Sequence, residues 1–175
     1  MAKHDNRILK SASISKCGRY RWWLRREWTA LGCNKGVCCF VMLNPSTADA
    51  MVDDPTIRRC IGFAKSWGYS ELLVINLFPW RATDPKQLHK GSECRGGVRG
   101  YATLLEAVSA DITICAWGDN NTFGRALVFR DIVKRVYLNR AVYCLGLTKR
   151  WSRPRHPLYV KADAEPLLFD LETIV

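Results

Sequence analysis

The chain has 175 residues, of which 48% are hydrophobic and 25% charged, which is ordinary for one globular domain spanning 1–175. Lysine and arginine outnumber aspartate and glutamate by 27 to 16, and the net charge of +11 favours a polyanionic partner, nucleic acid first and an anionic membrane surface second. The alternative is a basic protein with no such partner. No apolar run approaches the roughly 18–20 residues that span a bilayer, so we expect no membrane partner.

In chain order, the first half predicts two strands after a loosely ordered, polar start over 1–18. Arginines alternate with aromatic residues over 19–28, which predicts a strand at the edge of a sheet. Residues 37–43 form a short apolar run without polar alternation, which is typical of a strand buried on both faces of a parallel sheet.

Strands and helices alternate through the rest of the chain. A helix begins at Pro55, with Asp53 or Asp54 as its N-cap, and ends at Gly68. The remaining predicted elements are strands over 72–76, 111–117 and 141–145, helices over 101–110 and 122–138, a short helix in the tail 166–175, and a long loop over 79–100. Together they predict a three-layer α/β/α sandwich with a central four-stranded, mostly parallel sheet and an antiparallel N-terminal strand at its edge.

Cysteine usage indicates the compartment. The eight cysteines are Cys17, Cys33, Cys38, Cys39, Cys60, Cys94, Cys115 and Cys144. Several lie inside apolar runs, where a thiol acts as a small hydrophobe, and the polar N-terminus carries no signal peptide. We therefore expect a cytoplasmic protein rather than a disulfide framework. No pair has the C-x-x-C spacing of zinc and iron–sulfur sites, and no Gly-rich phosphate loop is visible. We expect neither a metal nor a cofactor.

Three apolar runs stop at polar or glycine residues, namely Asn44, Asn76 and Gly118. Ligands bind at the carboxyl ends of strands in open parallel sheets, so these residues fall where a site is expected. Asn44 offers two donors and one acceptor, and Pro45 and Ser46 would stiffen its turn. The alternative is that Asn44, Pro45 and Ser46 only end the strand, since asparagine, proline and serine are all common in turns.

Asn76 closes the second buried strand, where a polar amide needs a partner. It would read the edge of a base held between aromatic rings, with Phe78 and Trp80 as stacking platforms. Alternatively, the backbone satisfies Asn76 and both aromatic residues belong to the core.

A basic loop follows the last predicted strand. His156 lies in it and would transfer a proton or stabilise a developing anion; the alternative is a surface histidine. The loop's cations flank Trp151, as phosphate contacts around an aromatic wedge would, although a charged run is usually only a solvated face. These cations are Lys149, Arg150, Arg153 and Arg155. One of Asp49, Asp53 and Asp54 would position water as a base, but helix capping explains the last two equally well.

Several motifs resemble an uncharacterised bacterial and phage family, the domain-of-unknown-function family numbered 1643. They are Met42-Leu43-Asn44-Pro45-Ser46-Thr47-Ala48-Asp49, Asp54-Pro55-Thr56, Asn76-Leu77-Phe78, Arg81-Ala82-Thr83-Asp84-Pro85, Ala116-Trp117-Gly118 and Arg155-His156-Pro157-Leu158-Tyr159. The resemblance covers residues 17–160 and by itself implies no activity.

The order of the same motifs is also similar to the uracil-DNA glycosylase superfamily, which implies base flipping and base excision from DNA. By that resemblance Asn44 would position the attacking water and His156 would stabilise the departing base. Of the three nearby acids, we take Asp49 as the catalytic candidate. Asn76 would read the base, Pro45 and Ser46 would line its pocket, and Phe40 or Phe78 would flank it. Arg81 and the cations of the basic loop would contact DNA.

The match has two substitutions, Ser46 for the usual glycine or tyrosine and Leu158 for serine. A uracil-like or modified base therefore stays open as the substrate. A non-catalytic nucleic-acid-binding phage or defence factor and an enzyme acting on free nucleotides or nucleosides are the alternatives. We expect the protein to work as a monomer in the cytoplasm of a bacterial or phage-infected cell.

Overall fold

The computed structural model describes residues 8–88, 91–138 and 140–174, and everything below refers to these residues. The strands are β1 (Ile8–Ile14), β2 (Arg21–Trp28), β3 (Lys35–Met42), β4 (Tyr69–Asn76), β5 (Ile112–Cys115), β6 (Tyr143–Cys144) and β7 (Leu167–Leu168). The helices are α1 (Pro55–Ser66), α2 (Ser92–Arg95), α3 (Gly97–Val108) and α4 (Arg125–Arg135), with 3₁₀ turns at Pro85–Gln87, Pro157–Tyr159 and Leu171–Thr173.

All seven strands form one mixed sheet in the order β1-β2-β4-β3-β5-β6-β7. The four central strands, β4, β3, β5 and β6, are parallel, as the sequence predicts. The predicted antiparallel N-terminal strand is present as β2. The sheet is larger than predicted, because β1 and β7 extend its two edges antiparallel.

The central strands bury both faces. Cys39 and Val41 of β3 point into the core beneath α3 and α4, whereas Cys38, Phe40 and Met42 point into the core beneath α1. This alternation follows from the two-residue period of a strand. The result is an α/β fold with helices on both faces of the sheet.

Helix α1 begins and ends as its sequence predicts. Asp54 is the N-cap, and its Oδ1 accepts a hydrogen bond from the backbone N–H of Ile57 at 2.8 Å. Pro55 occupies the first turn, where the missing N–H costs nothing. The chain leaves the helix at Gly68, whose φ of +83° favours glycine.

The chain ends and the short elements differ from prediction. The start expected to be loosely ordered contains β1 over its described part, while residues 1–7 lie outside the described residues. The predicted strand over 141–145 is shortened to β6. The tail expected to be helical instead forms β7 and a 3₁₀ turn, because β7 pairs antiparallel with β6.

Helix α4 begins three residues later than predicted, after Phe123 and Gly124, which both have positive φ. Within the described residues, no helix has the length and apolar content needed to cross a membrane.

Candidate functional site

The sheet has its topological switch point between β3 and β5. From β3 the chain crosses to β4 on one side, and it later returns to β5 on the other. The loops after β3 and β5 therefore diverge at the carboxyl edge, which is where open α/β sheets bind ligands. A cleft of about 660 Å³ opens at this edge, within the usual range of ligand pockets. Its lining residues are Pro85, Trp117, Gly118, Asp119, Asn120, Leu147, Thr148, Lys149, Arg155, His156 and Tyr159.

His156 supplies the imidazole among the described residues that line the cleft. It is half-buried, and its Nδ1 accepts a hydrogen bond from the backbone N–H of Leu158 at 3.4 Å. Burial lowers the pKa of His156 below its ordinary value of 6.5, and the negative charge of Asp54 offsets part of this effect. The ring is therefore neutral at neutral pH, with its proton on Nε2, because Nδ1 already accepts from the backbone.

Gly118 fits closely against this histidine. Its φ of +73° favours glycine, and its backbone N–H donates to the carbonyl of Pro154 at 2.8 Å. A Cβ placed on Gly118 would lie 3.7 Å from the Cβ of His156. The end of β5 and the loop that carries His156 are thus joined directly by a backbone hydrogen bond.

Asn44 joins the loops that follow β3 and β4. Its Nδ2 donates to the backbone carbonyls of Ala82 at 2.7 Å and Pro45 at 3.1 Å. The N–H of Ala82 in turn donates to the carbonyl of Pro45 at 2.9 Å. The amide is therefore held by its donors, and Oδ1 accepts from no described residue. Asn44 lies at the carboxyl edge, but it is not among the residues that line the cleft.

Asn76 is buried and bound to an arginine that the sequence analysis did not single out. Its Oδ1 accepts from Nη2 of Arg21 at 3.2 Å, and Nη1 of Arg21 donates to the carbonyl of Ala48 at 2.9 Å. Both side chains are only 3% exposed. Burial lowers the pKa of Arg21 to about 10, yet Arg21 remains charged at neutral pH. The structure therefore places Asn76 beneath the Asn44 loop and outside the cleft lining.

The three nearby aspartates have different roles. Asp49 accepts from the backbone N–H groups of Met51 and Val52, both at 2.8 Å, which lowers its pKa and holds its own loop. Asp53 is paired with Arg26. Asp54 caps α1 through one oxygen, and its charge reaches both Arg21 and His156. None of the three lines the cleft, but only Asp54 acts electrostatically on the histidine in it.

The predicted base-flanking aromatic residues belong to the core. Phe40 stacks on Trp67 with ring centroids 6.1 Å apart, and Phe78 meets Phe123 edge-on at 6.2 Å. Both phenylalanines are fully buried. The aromatic residues that do line the cleft are Trp117 and Tyr159.

The basic loop between β6 and the turn at Pro157–Tyr159 forms a rigid projection. Leu147 and Pro154 form a β-bridge at its base, and the guanidinium of Arg153 donates to the carbonyls of Asp119 at 2.9 Å and Asn120 at 2.8 Å. Thr148 also bonds to the Asp119 carboxylate. The loop and the residues after β5 thus form one body.

Trp151 lies at the tip of this projection. The guanidinium carbons of Arg150 and Arg153 lie 5.0 and 5.9 Å from its ring centroid, and the side chain is 54% exposed. Lys149 and Arg155 line the cleft itself. Ser46 and Arg81 lie together in a separate groove on the same edge.

Within the described residues, no group of three or more histidine, cysteine, aspartate or glutamate side chains is placed to hold a metal ion. Fold and site together define an α/β protein with a basic cleft at the carboxyl edge of its parallel strands. Residues 21–158 match the family described as "Protein of unknown function (DUF1643)", and the chain belongs to that family. No curated protein and no solved structure matches the chain.

Proposed function

We propose that this protein is a DNA glycosylase-like enzyme that hydrolyses the N-glycosidic bond of a base flipped into the cleft. The observation that carries the proposal is the neutral His156 in a cleft at the switch point, with Lys149 and Arg155 beside it. The parallel strand order and the sequence of motifs support a uracil-DNA glycosylase-like fold. The substrate is a uracil-like or modified base.

The chemistry follows from the His156 tautomer. Water adds its oxygen to the anomeric carbon, the bond to the base nitrogen breaks, and the base leaves with the electron pair. The Nε2–H of His156 donates to an oxygen of the departing anionic base. A neutral donor already in place in a half-buried site stabilises such charge without reorganisation. The water's proton then neutralises the base.

Asn44 would orient the attacking water. Its two donors are engaged by Ala82 and Pro45, so its Oδ1 is the atom that can accept from the attacking water. Ala82 lies three residues from Pro85, which lines the cleft. Asn44 would thus orient water without acting as a strong base. Asp49, with a lowered pKa and both bonds inside its own loop, contributes by shaping that loop.

The cations near the cleft would contact the phosphates of the strand. Lys149 and Arg155 lie in the cleft, and Arg150 and Arg153 flank the exposed ring of Trp151. Phosphate contacts of this kind position a nucleic acid without reading its sequence. The net charge of +11 supplies the long-range attraction.

The cellular setting fits this proposal. All eight cysteines are free thiols, and six of them are buried. Free thiols in this number are typical of a reducing compartment, so we place the protein in the cytoplasm. That it acts as a monomer is a separate part of the proposal.

A non-catalytic nucleic-acid-binding protein is the second candidate. It is favoured by the absence of an unengaged carboxylate among the described residues that line the cleft, since Asp119 is bonded to Thr148. Such a protein would bind DNA with strong salt dependence but release no base. An enzyme acting on free nucleotides or nucleosides would bind them independently of the loop that carries Trp151.

The deciding experiment is incubation with DNA containing uracil, thymine mispairs and hypermodified pyrimidines, with free base detected by mass spectrometry. His156→Ala is the test variant, and Arg135→Ala, an exposed change on α4, is the matched control. Base release that is lost only in His156→Ala supports the glycosylase. Salt-dependent DNA binding without base release supports the binding protein. If the wild type shows neither base release nor DNA binding, both candidate functions are rejected.

A further inference from the structure

A second concavity of about 440 Å³ lies on the same edge of the sheet as the cleft. Two segments form most of it, the turn between β1 and β2 and the loop after β4. The residues that give it its chemistry are Cys17, Arg19, Ser46, Thr47, Arg81 and Thr83. We call it the Arg19–Arg81 groove.

The groove is positively charged and rich in hydroxyl groups. Two guanidinium groups and three hydroxyl groups lie in its lining, and no carboxylate is among the described lining residues. Two acids outside the lining act on it electrostatically, Glu93 on Arg19 and Asp49 on Arg81. Arginine, serine and threonine side chains are the usual partners of phosphate oxygens in nucleic-acid complexes.

The two arms of the groove are fixed to each other. Tyr20 and Trp80 form an antiparallel β-bridge, and the N–H of Arg81 donates to the carbonyl of Arg19 at 2.9 Å. The guanidinium of Arg81 also donates to the carbonyl of Gly18 at 3.2 Å. A groove held by these bonds is formed before any ligand arrives, which lowers the entropic cost of binding.

The groove and the cleft share a wall. Ala82 and Thr83 line the groove, and Pro85 lines the cleft. Consecutive Cα atoms are 3.8 Å apart, so at most about 7.6 Å separates Thr83 from Pro85. Asn44 is bonded to Ala82 in this same wall. A DNA strand that leaves the cleft and crosses this wall therefore enters the groove within a few nucleotides.

We propose that the Arg19–Arg81 groove binds the phosphodiester backbone of the DNA strand whose base occupies the cleft. The inference rests on the proposed function and adds a second contact surface to it. A mononucleotide cannot span both concavities, whereas a strand of several nucleotides can. The groove thus makes the protein select a polynucleotide over a free nucleotide.

Cys17 provides a reporter inside the groove. Its Sγ lies 3.3 Å from Oγ of Ser15, and this bond together with Arg19 lowers the pKa of the thiol to about 7. The exposed thiolate should therefore react with iodoacetamide near neutral pH. Cys33 is half-buried and precedes the amino end of β3, whereas the groove lies at the carboxyl end. It is the internal control, because the other six cysteines are buried.

The test measures alkylation of Cys17 and Cys33 by mass spectrometry in the full chain, with and without a single-stranded oligonucleotide. DNA binding is followed separately by fluorescence anisotropy. With the oligonucleotide at ten times its Kd, we expect alkylation of Cys17 to slow about tenfold and that of Cys33 to stay unchanged. DNA binding with unprotected Cys17 overturns the groove and leaves the proposed function standing. No DNA binding at all overturns both.

Two further arms make the result specific. A deoxynucleoside monophosphate, matched in phosphate concentration, should leave Cys17 unprotected; equal protection would overturn the assignment to a strand. Arg81→Gln should reduce the slope of log K against log salt by about 0.7, the share of one single-strand phosphate contact. Arg135→Gln on α4 is the matched control, and an equal loss of slope there would contradict the proposal.

Discussion

Nη2 of Arg21 lies 3.2 Å from Oδ1 of Asn76, and both side chains are buried. Arginine can only donate, so the atom facing it must be the amide oxygen, and the orientation of Asn76 is fixed. Arg21 also donates to the carbonyl of Ala48, in the loop that follows Asn44 and Pro45. A buried cation that is hydrogen-bonded to no carboxylate among the described residues thus joins β2, the end of β4 and the loop after β3.

We expect Asn76→Ala to destabilise the protein by about 1–3 kcal/mol, because it leaves a buried guanidinium donor unpaired. Arg21→Met should also destabilise it, since the carbonyl of Ala48 loses its donor. The double variant should cost less than the sum of the two, with a coupling of about 0.5–3 kcal/mol. Urea denaturation of the four proteins measures this; strict additivity would mean that the bond contributes nothing.

The pKa of His156 predicts how stability depends on pH. Because the folded pKa lies below 6.5, the unfolded state binds more protons between these two values. The contribution of neutral His156 to the free energy of unfolding is therefore fully present above pH 6.5, and it is lost as the pH falls through the folded pKa. His156→Gln should remove this acid-side loss. Urea denaturation between pH 5 and 8 tests it, and parallel curves for the two proteins would contradict it.

Protonation should also release the loop that His156 anchors. An imidazolium carries a proton on Nδ1, so it can no longer accept from the N–H of Leu158. We expect ¹⁵N chemical shifts to show the Nε2–H tautomer at pH 7.5 and the Leu158 amide resonance to shift with the histidine titration. A Leu158 amide that is insensitive to this titration would show that the 3.4 Å contact does not hold the ring.

Asp54 offers a way to separate capping from charge. Asp54→Ala removes the bond to the N–H of Ile57 and should cost about 0.5–2 kcal/mol. Asp54→Asn keeps a capping oxygen and should cost much less. Both changes remove the negative charge that raises the pKa of His156, so both should lower that pKa further. Thermal unfolding and an NMR titration of His156 test the two effects; an unchanged histidine pKa in Asp54→Asn would rule out the electrostatic link.

The parts of this fold that sequence predicts best have a local signal. The run ending at Met42 is buried on both faces, and Asp54 and Pro55 mark the start of α1 because capping depends on neighbouring residues. Strand β6 has only two residues, too few for a pattern. Its partner β7 is defined by pairing across more than twenty residues, which no local periodicity reveals.

The site was harder to predict than the fold for the same reason. The positions of Asn44, Gly118 and His156 at one edge follow from parallel strands that end together. By contrast, Arg21 lies in a strand of alternating arginines and aromatic residues. Arg25, four residues further along the same strand, stays half-exposed. Arg21 and Arg26 of this strand are both buried, and their burial depends on carbonyls supplied by a distant loop, those of Ala48 and Asp49.

Trp151 separates binding from folding. Its side chain is 54% exposed at the tip of a loop whose base is held by Leu147, Pro154 and Arg153. Trp151→Ala should therefore leave the unfolding free energy within about 0.5 kcal/mol of the wild type. If the ring stacks on a base, the same change should weaken single-stranded DNA binding by about 1–3 kcal/mol. Fluorescence anisotropy at two salt concentrations distinguishes this loss from the loss of a cation. Removing a stacking ring leaves the dependence of affinity on salt unchanged, whereas removing Arg150 makes it less steep. Unaltered affinity in Trp151→Ala would place the nucleic acid away from this loop.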